Sequence, residues 1–313
     1  MIVMRRLLFF LWLGGCSTVV SGQDFGWWNT THNWDGVSNW RRYLTLSPAY
    51  LGPNALPVPR VANARLEGST RITLAGEGHF SSGDRTGNGF LEVDQPLFSE
   101  RVALRVWYIP VEYYHMDATT RDARAARDYD GRGWAGGDVY VGTQIQLLRD
   151  ARGWPDLLFT TNLKTASGTH LSAARHTNAP AYYFDLSAGK TFPLSRGGNH
   201  SVRPHAMVGF YVWQTFKDDY LQNDAFLYGL GADLTLGQIM VTPALGGYSG
   251  YLNNGDRPVV ARLSLESHRG KMVEYLARLQ QGLRDFPYTS VRLGIVLRPF
   301  AGPAETPPAN REK

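Results

Sequence analysis

Long stretches of this chain alternate apolar and polar residues with a period of two, and no other feature restricts its fold as much. Between Val139 and Leu147 the odd positions hold valine, threonine, isoleucine and leucine, whereas the even positions hold tyrosine, glycine and glutamine. Such a period belongs to a β-strand with one apolar face, because a helix would repeat every 3.6 residues. The pattern returns over 202–212, 226–236 and 259–268. The sequence therefore predicts an all-β protein with almost no helix.

The composition leaves two classes of all-β protein open. The 313 residues are 43% hydrophobic, 12% aromatic and 19% charged, and Cys16 is the single cysteine, which excludes a disordered chain, a disulfide scaffold and a cysteine-based zinc module. Beyond the N-terminus no run of about 18 apolar residues could cross a bilayer as a helix. A soluble all-β protein remains, and so does a transmembrane β-barrel, whose alternating strands conceal their hydrophobicity from an average over a sequence window.

Residues 1–22 have the pattern of an export signal, with Arg5 and Arg6 followed by an apolar run and then by small residues. Two cleavage sites compete, because signal peptidase would cut after Gly22, whereas the residues that end at Cys16 resemble a bacterial lipobox. We favour Gly22, since a barrel needs no lipid anchor. Cleavage there removes two arginines and no acid, so the net charge falls from +5 to +3. That surplus is too small to indicate binding of nucleic acid.

Twelve alternating segments are long enough to be strands of a membrane-spanning barrel, which need about nine to eleven residues each. Phe90 to Phe98 could form one more strand, so ten or fourteen strands are also open. We predict a single antiparallel transmembrane β-barrel over residues 41–300. The segments are 41–51, 70–80, 101–115, 138–148, 156–166, 181–192, 202–214, 224–236, 239–251, 258–268, 271–283 and 288–299.

Two flanking segments are set apart from the predicted strands. Residues 23–40 are rich in tryptophan and could form an interfacial belt, a segment inside the lumen or a lid of packed side chains. The stretch 52–60 holds three prolines, so it cannot lie in a central strand. Residues 301–313 form a polar tail that we predict to be disordered.

Loop lengths give an independent test of the barrel, because bacterial barrels keep their periplasmic turns short and their outer loops long. The connections Gly237-Gln238 and Arg269-Gly270 are as short as tight hairpins, whereas the polar stretches 117–137 and 167–180 are long. Short and long connections alternate along the C-terminal two thirds of the chain. This parity is the one that a barrel with both ends in the periplasm requires.

The polar faces of the segments favour a barrel over a soluble sandwich. Sandwich strands are usually about five or six residues long and turn their apolar face inward, whereas these segments are longer and their polar faces carry charges and glycines. Tyrosines near the segment ends, such as Tyr113, Tyr182, Tyr248 and Tyr288, would form girdles at the membrane interfaces. The residues predicted to line the lumen are Arg71, Glu77, Arg105, Gln144, Gln146, Asn162, Lys164, Asp185, Arg203, His205, Asp233, Arg262, Glu266, Glu274, Arg278, Arg292 and Arg298.

The run 136–168 contains a Gly-Asp pair that opens a strand, a glycine within that strand, a proline in the next turn, and a lysine followed by small residues ending in glycine. These positions are Gly137, Asp138, Gly142, Pro155, Lys164, Thr165, Ser167 and Gly168. The pattern resembles outer-membrane barrels of the phenol meta-pathway type, transporters in aromatic-compound degradation that are distantly similar to long-chain fatty-acid channels. The resemblance implies a porin-like transport barrel in the outer membrane of a Gram-negative bacterium.

Passive passage of a small solute is the function we expect, with a hydrophobic or aromatic compound as one candidate and with no enzymatic chemistry, cofactor or metal. Two alternatives stay open: a structural or assembly barrel with a plugged lumen, and an outer-membrane lipid-modifying enzyme. The expected partners are outer-membrane lipid and lipopolysaccharide, a small-molecule solute and the barrel-assembly machinery, without nucleic acid.

Few residue combinations indicate catalysis or metal binding. His200 and Ser201 are neighbours in a predicted periplasmic turn, and the outer-loop run 168–176 holds two histidines and a serine. Adjacency in sequence does not create a nucleophile and its base. The aspartates of the outer loop near Asp218 could bind calcium, although such a cluster more often only keeps a loop soluble. We interpret all three as solvated loops or turns.

Overall fold

A computed structural model describes residues 24–97, 101–195, 199–267 and 272–299. The predictions for the export signal and for the C-terminal tail lie outside these residues. Helix is scarce within them: α1 spans Gly26–Thr31, α2 spans Ala118–Ala123, and two short 3₁₀ helices span Trp40–Tyr43 and Leu171–Ala173. Among the described helices, none has the length and apolar character needed to span a bilayer.

The β-strands carry the fold of the described residues. They are β1 (Arg71–Phe80), β2 (Asp84–Pro96), β3 (Val102–Tyr108), β4 (Glu112–Met116), β5 (Arg132–Ala135), β6 (Tyr140–Leu148), β7 (Asp156–Lys164), β8 (Ala181–Gly189), β9 (Phe192–Pro193), β10 (His200–Gln214), β11 (Gln222–Leu236), β12 (Ile239–Gly250), β13 (Val259–Ser267), β14 (Val273–Arg284) and β15 (Thr289–Leu297).

The sheet closes on itself, because β1 pairs with β2 on one side and with the last strand, β15, on the other. Leu74, for example, lies opposite Leu91 of β2 and opposite Ile295 of β15. Pro110 lacks a backbone N–H and interrupts the third barrel strand, so β3 and β4 both pair with β2. In the same way β5 and β6 form one barrel strand, and β9 extends β8. The described strands therefore form the predicted closed, antiparallel barrel of twelve strands.

Apolar side chains cover the outside of the barrel. The exposed fractions of Val208, Leu230 and Leu293 are 51%, 61% and 63%, whereas those of Gln144 and Asp233 are 6% each. An apolar surface that runs around the whole sheet is unstable in water and is the surface that a transmembrane barrel presents to lipid. The all-β transmembrane barrel predicted from the alternation is confirmed, with the oily faces outward.

The two rims differ in the length of their connections. Residues 117–131 and 165–180 connect strands at one rim, whereas the turn 237–238 and the connection 149–155 lie at the other. We assign the rim with the long loops to the cell exterior, as in other bacterial barrels.

One predicted strand is wrong and one strand was missed. The predicted count of twelve strands is therefore correct, although one of the twelve is a different segment. Residues 41–51 form a 3₁₀ turn and irregular backbone, because their alternating leucines, Leu44 and Leu46, pack inside the barrel and are 1% and 4% exposed. The missing strand is β2, which the sequence pattern indicated only from Phe90 onward. Its outer half carries Arg85 and two glycines on the outward face where apolar residues were expected.

The aromatic girdles are only partly as predicted. Tyr113 and Tyr182 face outward, with 41% and 47% of each residue exposed. Tyr248 and Tyr288 are fully buried and point into the barrel, where their hydroxyl groups donate hydrogen bonds to the carbonyl oxygen of Leu56 and to the carboxylate of Asp84.

Candidate functional site: a lumen divided by the N-terminal segment

Residues 44–70, which we call the luminal segment, run through the inside of the barrel from the outer rim to the periplasmic rim. Near the outer rim, the indole of Trp213 donates a hydrogen bond to the carbonyl of Leu46 at 2.8 Å. Near the other rim, the amide of Asn63 donates to the carboxylate of Asp233 at 2.7 Å. The segment then joins β1 at Arg71. A luminal position was one alternative for the tryptophan-rich residues 23–40. The residues that occupy the lumen are those of the luminal segment, which follow them in the chain.

Polar side chains of the barrel wall satisfy the irregular backbone of the luminal segment. Gln146 accepts from the N–H of Leu66 at 2.7 Å and donates to the carbonyl of Ala64 at 2.9 Å. Arg203 donates to the carbonyl of Asn63 at 2.9 Å. Because a buried backbone group without a partner is costly, these inward side chains allow a non-strand segment to lie inside a membrane barrel.

Glycine residues, which have no side chain, make room for the luminal segment on two neighbouring strands. A Cβ atom built on Gly229 of β11 would lie 2.5 Å from Val61 Cγ2, and one built on Gly246 of β12 would lie 3.1 Å from the same atom. Gly229 and Gly246 are partners in the β11–β12 register. The glycines therefore form a groove into which Val61 packs.

A buried arginine joins the outer loop 165–180 to the barrel wall. The Arg175 guanidinium donates to Asp84 at 2.6 Å, to Glu112 at 2.8 Å and to Thr86 at 2.6 Å, and its side chain is fully buried. The carbonyl of the preceding residue, Ala174, accepts a hydrogen bond from the luminal segment. The long outer loop therefore folds into the barrel mouth and contacts both the wall and the luminal segment.

The residues that carry the family resemblance anchor this same loop. The Lys164 ammonium lies 2.7 Å from Asp138 Oδ2, and the N–H of Gly168 donates to Asp138 Oδ1 at 2.6 Å. A Cβ on Gly168 would lie 2.6 Å from the Cβ of His176. The lysine, the aspartate and the glycine therefore fix both ends of the loop against the wall, which gives this motif a structural role.

His176 lies in loop 165–180 between two carboxylates and makes no hydrogen bond to the residues that the structure describes. Its Nε2 is 3.7 Å from Glu112 and its Nδ1 is 3.9 Å from Asp138. Burial lowers the pKa of His176 below 6.5, and the attraction of Glu112 and Asp138 offsets only part of that effect. The imidazole is thus neutral at physiological pH.

The luminal segment leaves a cavity inside the half of the barrel nearer the outer rim, which we call the outer cavity, with about 1050 Å³ of empty space including the part open to solvent. Pro57 of the luminal segment lines it, together with the aromatic rings of Phe90, Trp107, Tyr183 and Phe286. Charged groups stand beside these rings, and the Arg292 guanidinium lies 3.5 Å from the centroid of the Phe90 ring. The cavity is amphipathic, as binding sites for small molecules usually are.

A second cavity, the inner cavity, lies toward the periplasmic rim, with about 890 Å³ of empty space including the part open to solvent. The two cavities meet at residues that line both of them, and most of these residues are arginines. The shared residues are Arg60, Ala62, Arg105, Arg262 and Arg278. This group, which we call the arginine constriction, is the boundary between the two halves of the lumen.

Most of the luminal cations are paired with carboxylates. Arg60 lies 3.5 Å from Glu92, Arg105 lies 2.5 Å from Asp94, and Arg292 of β15 lies 2.6 Å from Glu77. Such pairs fix side-chain positions in a narrow barrel. Arg71 likewise contacts two carboxylates, Glu92 at 3.4 Å and Glu266 at 3.3 Å.

The predicted lumen-lining residues divide into three groups. Those at the outer cavity are Glu77, Arg105, Asn162, Asp185, Arg262, Arg278 and Arg292. Those at the inner cavity are Arg71, Gln144, Asp233 and Glu266, in addition to the arginines shared with the outer cavity. Those that line neither cavity but bind neighbouring groups are Gln146, Lys164, Arg203, His205, Glu274 and Arg298.

Several cavity residues were missing from the prediction. Glu92 and Phe90 belong to the strand whose inward face was not recognised. Arg60 belongs to the luminal segment, and nothing in the sequence marks that segment as luminal. Thr160 could have been found, because it lies on the same face of β7 as Asn162.

The structure places the outer-loop candidates for catalysis and metal binding in other contacts. His176 is buried between Glu112 and Asp138, whereas His170 contacts Thr169 at 3.1 Å. Asp218 pairs with Arg42, and Asp224 accepts a hydrogen bond from Gln222. Among the described residues no group of three or more His, Cys, Asp or Glu side chains could hold a metal ion.

Comparison with known proteins supports the barrel at the level of fold. No family model and no curated protein matches the chain. An outer membrane channel from Pseudomonas putida F1 is 14% identical, with a TM-score of 0.51 over 78% of this chain and 97% of that one. The NanC porin is 10% identical with a TM-score of 0.47, covering 72% and 98% of the two chains, and the CymD monoaromatic hydrocarbon channel is 8% identical with a TM-score of 0.38, covering 81% and 99%. The expected likeness to bacterial outer-membrane channel barrels is confirmed, and the chain has their fold.

Proposed function

We propose that this protein is a passive channel of the bacterial outer membrane that passes a small solute, hydrophobic or aromatic, without covalent chemistry. The observation that carries the proposal is the pair of luminal cavities that meet at the arginine constriction. A barrel filled only with side chains would leave no such volumes along its axis. Selectivity would arise where the cavities meet, from charged groups held in fixed positions.

The aromatic lining of the outer cavity supports the choice of solute. Phe90, Trp107, Tyr183 and Phe286 present apolar ring surface beside a few polar groups. Ring surface of this kind favours planar apolar solutes over sugars, which need many hydrogen bonds. The outward face would contact lipid and lipopolysaccharide, and insertion would use the barrel-assembly machinery.

A plugged structural barrel is the second candidate, and the contacts of the luminal segment favour it. Hydrogen bonds from Trp213, Gln146 and Arg203 hold the segment along its length. If these contacts persist in the membrane, the two cavities do not form a continuous path.

Planar-bilayer recording of the purified full chain distinguishes the two candidates. We expect discrete ion conductance from the wild type, and a larger conductance from Arg60→Ala, because that substitution removes a side chain shared by both cavities. Arg42→Ala, which removes an exposed arginine at the outer rim, is the matched control and should not change the conductance. Silence of both the wild type and Arg60→Ala, with folded protein confirmed by heat-dependent gel mobility, would establish the plugged barrel instead.

The solute class is tested by uptake into liposomes. We expect phenol to enter proteoliposomes faster than a sugar alcohol of similar mass, after subtraction of the rate for protein-free liposomes. Equal rates for the two solutes would contradict the aromatic preference while leaving the channel itself in place.

A further inference from the structure

Arg278 is a luminal cation that forms no ion pair with any carboxylate of the described residues. Its Nε donates to Ser264 at 3.1 Å, whereas its two terminal nitrogens make no hydrogen bond, and its guanidinium no ion pair, with any residue that the structure describes. The charged groups around it are the cations Arg292, Arg60 and Arg262 and the carboxylate of Glu77. A guanidinium enclosed among cations creates a positive potential that an anion would stabilise.

The register of the sheet concentrates this positive charge. Arg278 of β14 lies directly opposite Arg292 of β15, and like charges in directly opposed positions destabilise a sheet. Glu77 neutralises Arg292. Arg262, on the neighbouring strand β13, binds Gln280 and the carbonyl of Pro59, and no described carboxylate forms an ion pair with it. Three guanidinium groups therefore line the outer cavity on adjacent strands with one carboxylate among them.

The opposite wall of the outer cavity holds polar atoms that also lack partners. Asn162 Oδ1 and Nδ2, Thr160 Oγ1 and Asp185 Oδ1 make no hydrogen bond within the described chain, and each of these residues is 3% exposed. In the sheet order β7, which carries Asn162, is six barrel strands from β14 in either direction. Buried polar groups are nearly always satisfied in native proteins, so unpaired groups that face a cavity indicate a ligand or water.

Apolar ring surface separates these two polar walls. Phe90, Trp107 and Phe286 line the outer cavity together with Pro57. Flat apolar walls favour an aromatic ring between the two polar ends. The chemistry that fits all three regions is a planar ring with an anionic group at one end and a hydrogen-bonding group at the other.

We propose that the outer cavity binds a small aromatic carboxylate that carries a hydroxyl group at the far end of its ring. The carboxylate pairs with the free terminal nitrogens of Arg278, in the fork geometry that guanidinium and carboxylate share. The ring lies against Phe90 and Trp107, and the hydroxyl group exchanges hydrogen bonds with Asn162 and Asp185. The proposal deepens the proposed channel function, since the lumen is the route by which such a solute reaches the cavity.

Calorimetric titration of the detergent-purified full chain tests the site with four probes: 4-hydroxybenzoate, benzoate, phenol and phenyl phosphate. We expect 4-hydroxybenzoate to bind at least about tenfold more tightly than benzoate or phenol, since each of these lacks one polar end. Phenyl phosphate should bind more weakly than 4-hydroxybenzoate. Equal affinities for 4-hydroxybenzoate and phenol, or tighter binding of phenyl phosphate, would overturn the proposal without the need for any variant.

Substitutions then assign the two ends of the ligand. Arg278→Gln should weaken binding of both carboxylates at least about tenfold and leave phenol unchanged, whereas Asn162→Ala should reduce 4-hydroxybenzoate to the affinity of benzoate. Arg284→Gln on the same strand is the matched control, because the Arg284 side chain is 57% exposed at the end of β14. Unchanged carboxylate binding by Arg278→Gln contradicts the assignment.

Conductance of the same preparations separates this proposal from the channel function. If the protein conducts ions but does not bind 4-hydroxybenzoate more tightly than the other probes, the proposed binding site is wrong and the channel function stands. If it binds 4-hydroxybenzoate more tightly but does not conduct ions, the binding site is supported and the channel function is wrong.

Discussion

At the scale of single residues, buried charges at the barrel mouth hold the outer loop in place. Arg175 is surrounded by acceptors on β2 and β4 and is shielded from water. Removing one partner of such a pair leaves the others charged and buried, which costs far more than the loss of an exposed pair. The stability of the loop should therefore depend on a few side chains.

Arg175→Met should weaken closure of loop 165–180 by about 3–5 kcal/mol, because Asp84 and Glu112 lose their shared cation. Hydrogen exchange of the loop amides measures this free energy of opening. Arg42→Gln is the control: the Arg42–Asp218 pair is 46% and 65% exposed, so its loss should cost at most about 1 kcal/mol. Equal protection of the loop in the two variants would contradict the assigned role of Arg175.

His176 should make closure of the same loop depend on pH. Its pKa is lowered by burial in the closed loop and returns toward 6.5 when the loop opens, so the open state binds more protons at acidic pH. Above pH 6.5 the contribution of the neutral His176 to the stability of the closed loop is therefore at its full value. It falls as the pH drops from 6.5 toward the lowered pKa, with a slope of at most about 1.4 kcal/mol per pH unit.

Hydrogen exchange between pH 5 and pH 8, corrected for the intrinsic exchange rate, tests this dependence. His176→Gln, which does not titrate, should remove the slope in this window. A wild-type slope that persists in His176→Gln would assign the effect to another group.

At the scale of elements, the luminal segment is held by shape as much as by hydrogen bonds. Gly229→Ala would place a Cβ 2.5 Å from Val61, and overpacking of this kind costs about 1–3 kcal/mol. We expect a cysteine introduced at Ala62, in a Cys16→Ser background, to react faster with maleimide in this variant. Adding Val61→Ala should restore the slow rate, because it removes the clashing methyl groups.

Gly76→Ala is the control for the glycine substitution, since a Cβ at that position meets no atom within 4 Å. It should leave the labelling rate unchanged. If Gly229→Ala also leaves the rate unchanged, the groove does not hold the segment.

Alternation predicted the barrel wall well and the luminal segment poorly, for one physical reason. Leu44 and Leu46 alternate with polar residues as they would in a strand, but their apolar surface is covered by the barrel interior instead of by lipid. Alternation alone cannot distinguish these two environments. The opposite error concerns β2, where Asp84 and Arg85 are neighbours. This segment is a strand, but its outer half has no apolar face, so the alternation did not reveal it.

The sequence pattern predicted which strand positions face inward, but it did not predict which charged side chains at those positions form ion pairs. Arg278 and Arg298 occupy equivalent alternating positions, yet Arg298 binds Glu67 and Glu274 while Arg278 has no carboxylate among the described residues. Which cation is free depends on neighbours contributed by other strands and by the luminal segment. That information is absent from the local pattern.

At the scale of the whole molecule, the outward apolar surface determines stability in the bilayer. Leu293 lies in the middle of β15 and is 63% exposed, whereas Leu236 ends β11 at a rim and is 50% exposed. Leu293→Arg should cost about 2–4 kcal/mol in unfolding from lipid vesicles, and Leu236→Arg about 0–1 kcal/mol. Guanidinium titration of vesicle-embedded protein measures both, and equal costs would contradict the assigned membrane depth.

The luminal segment leads directly into β1, and β1 is one of the two strands that meet where the wall closes. A ring formed around part of its own chain has a restricted order of construction. We expect the luminal segment to lie inside the folding sheet before β1 and β15 pair. Afterwards it would have to be threaded past the wall side chains that hydrogen-bond to it. We therefore expect the sheet to fold around the luminal segment.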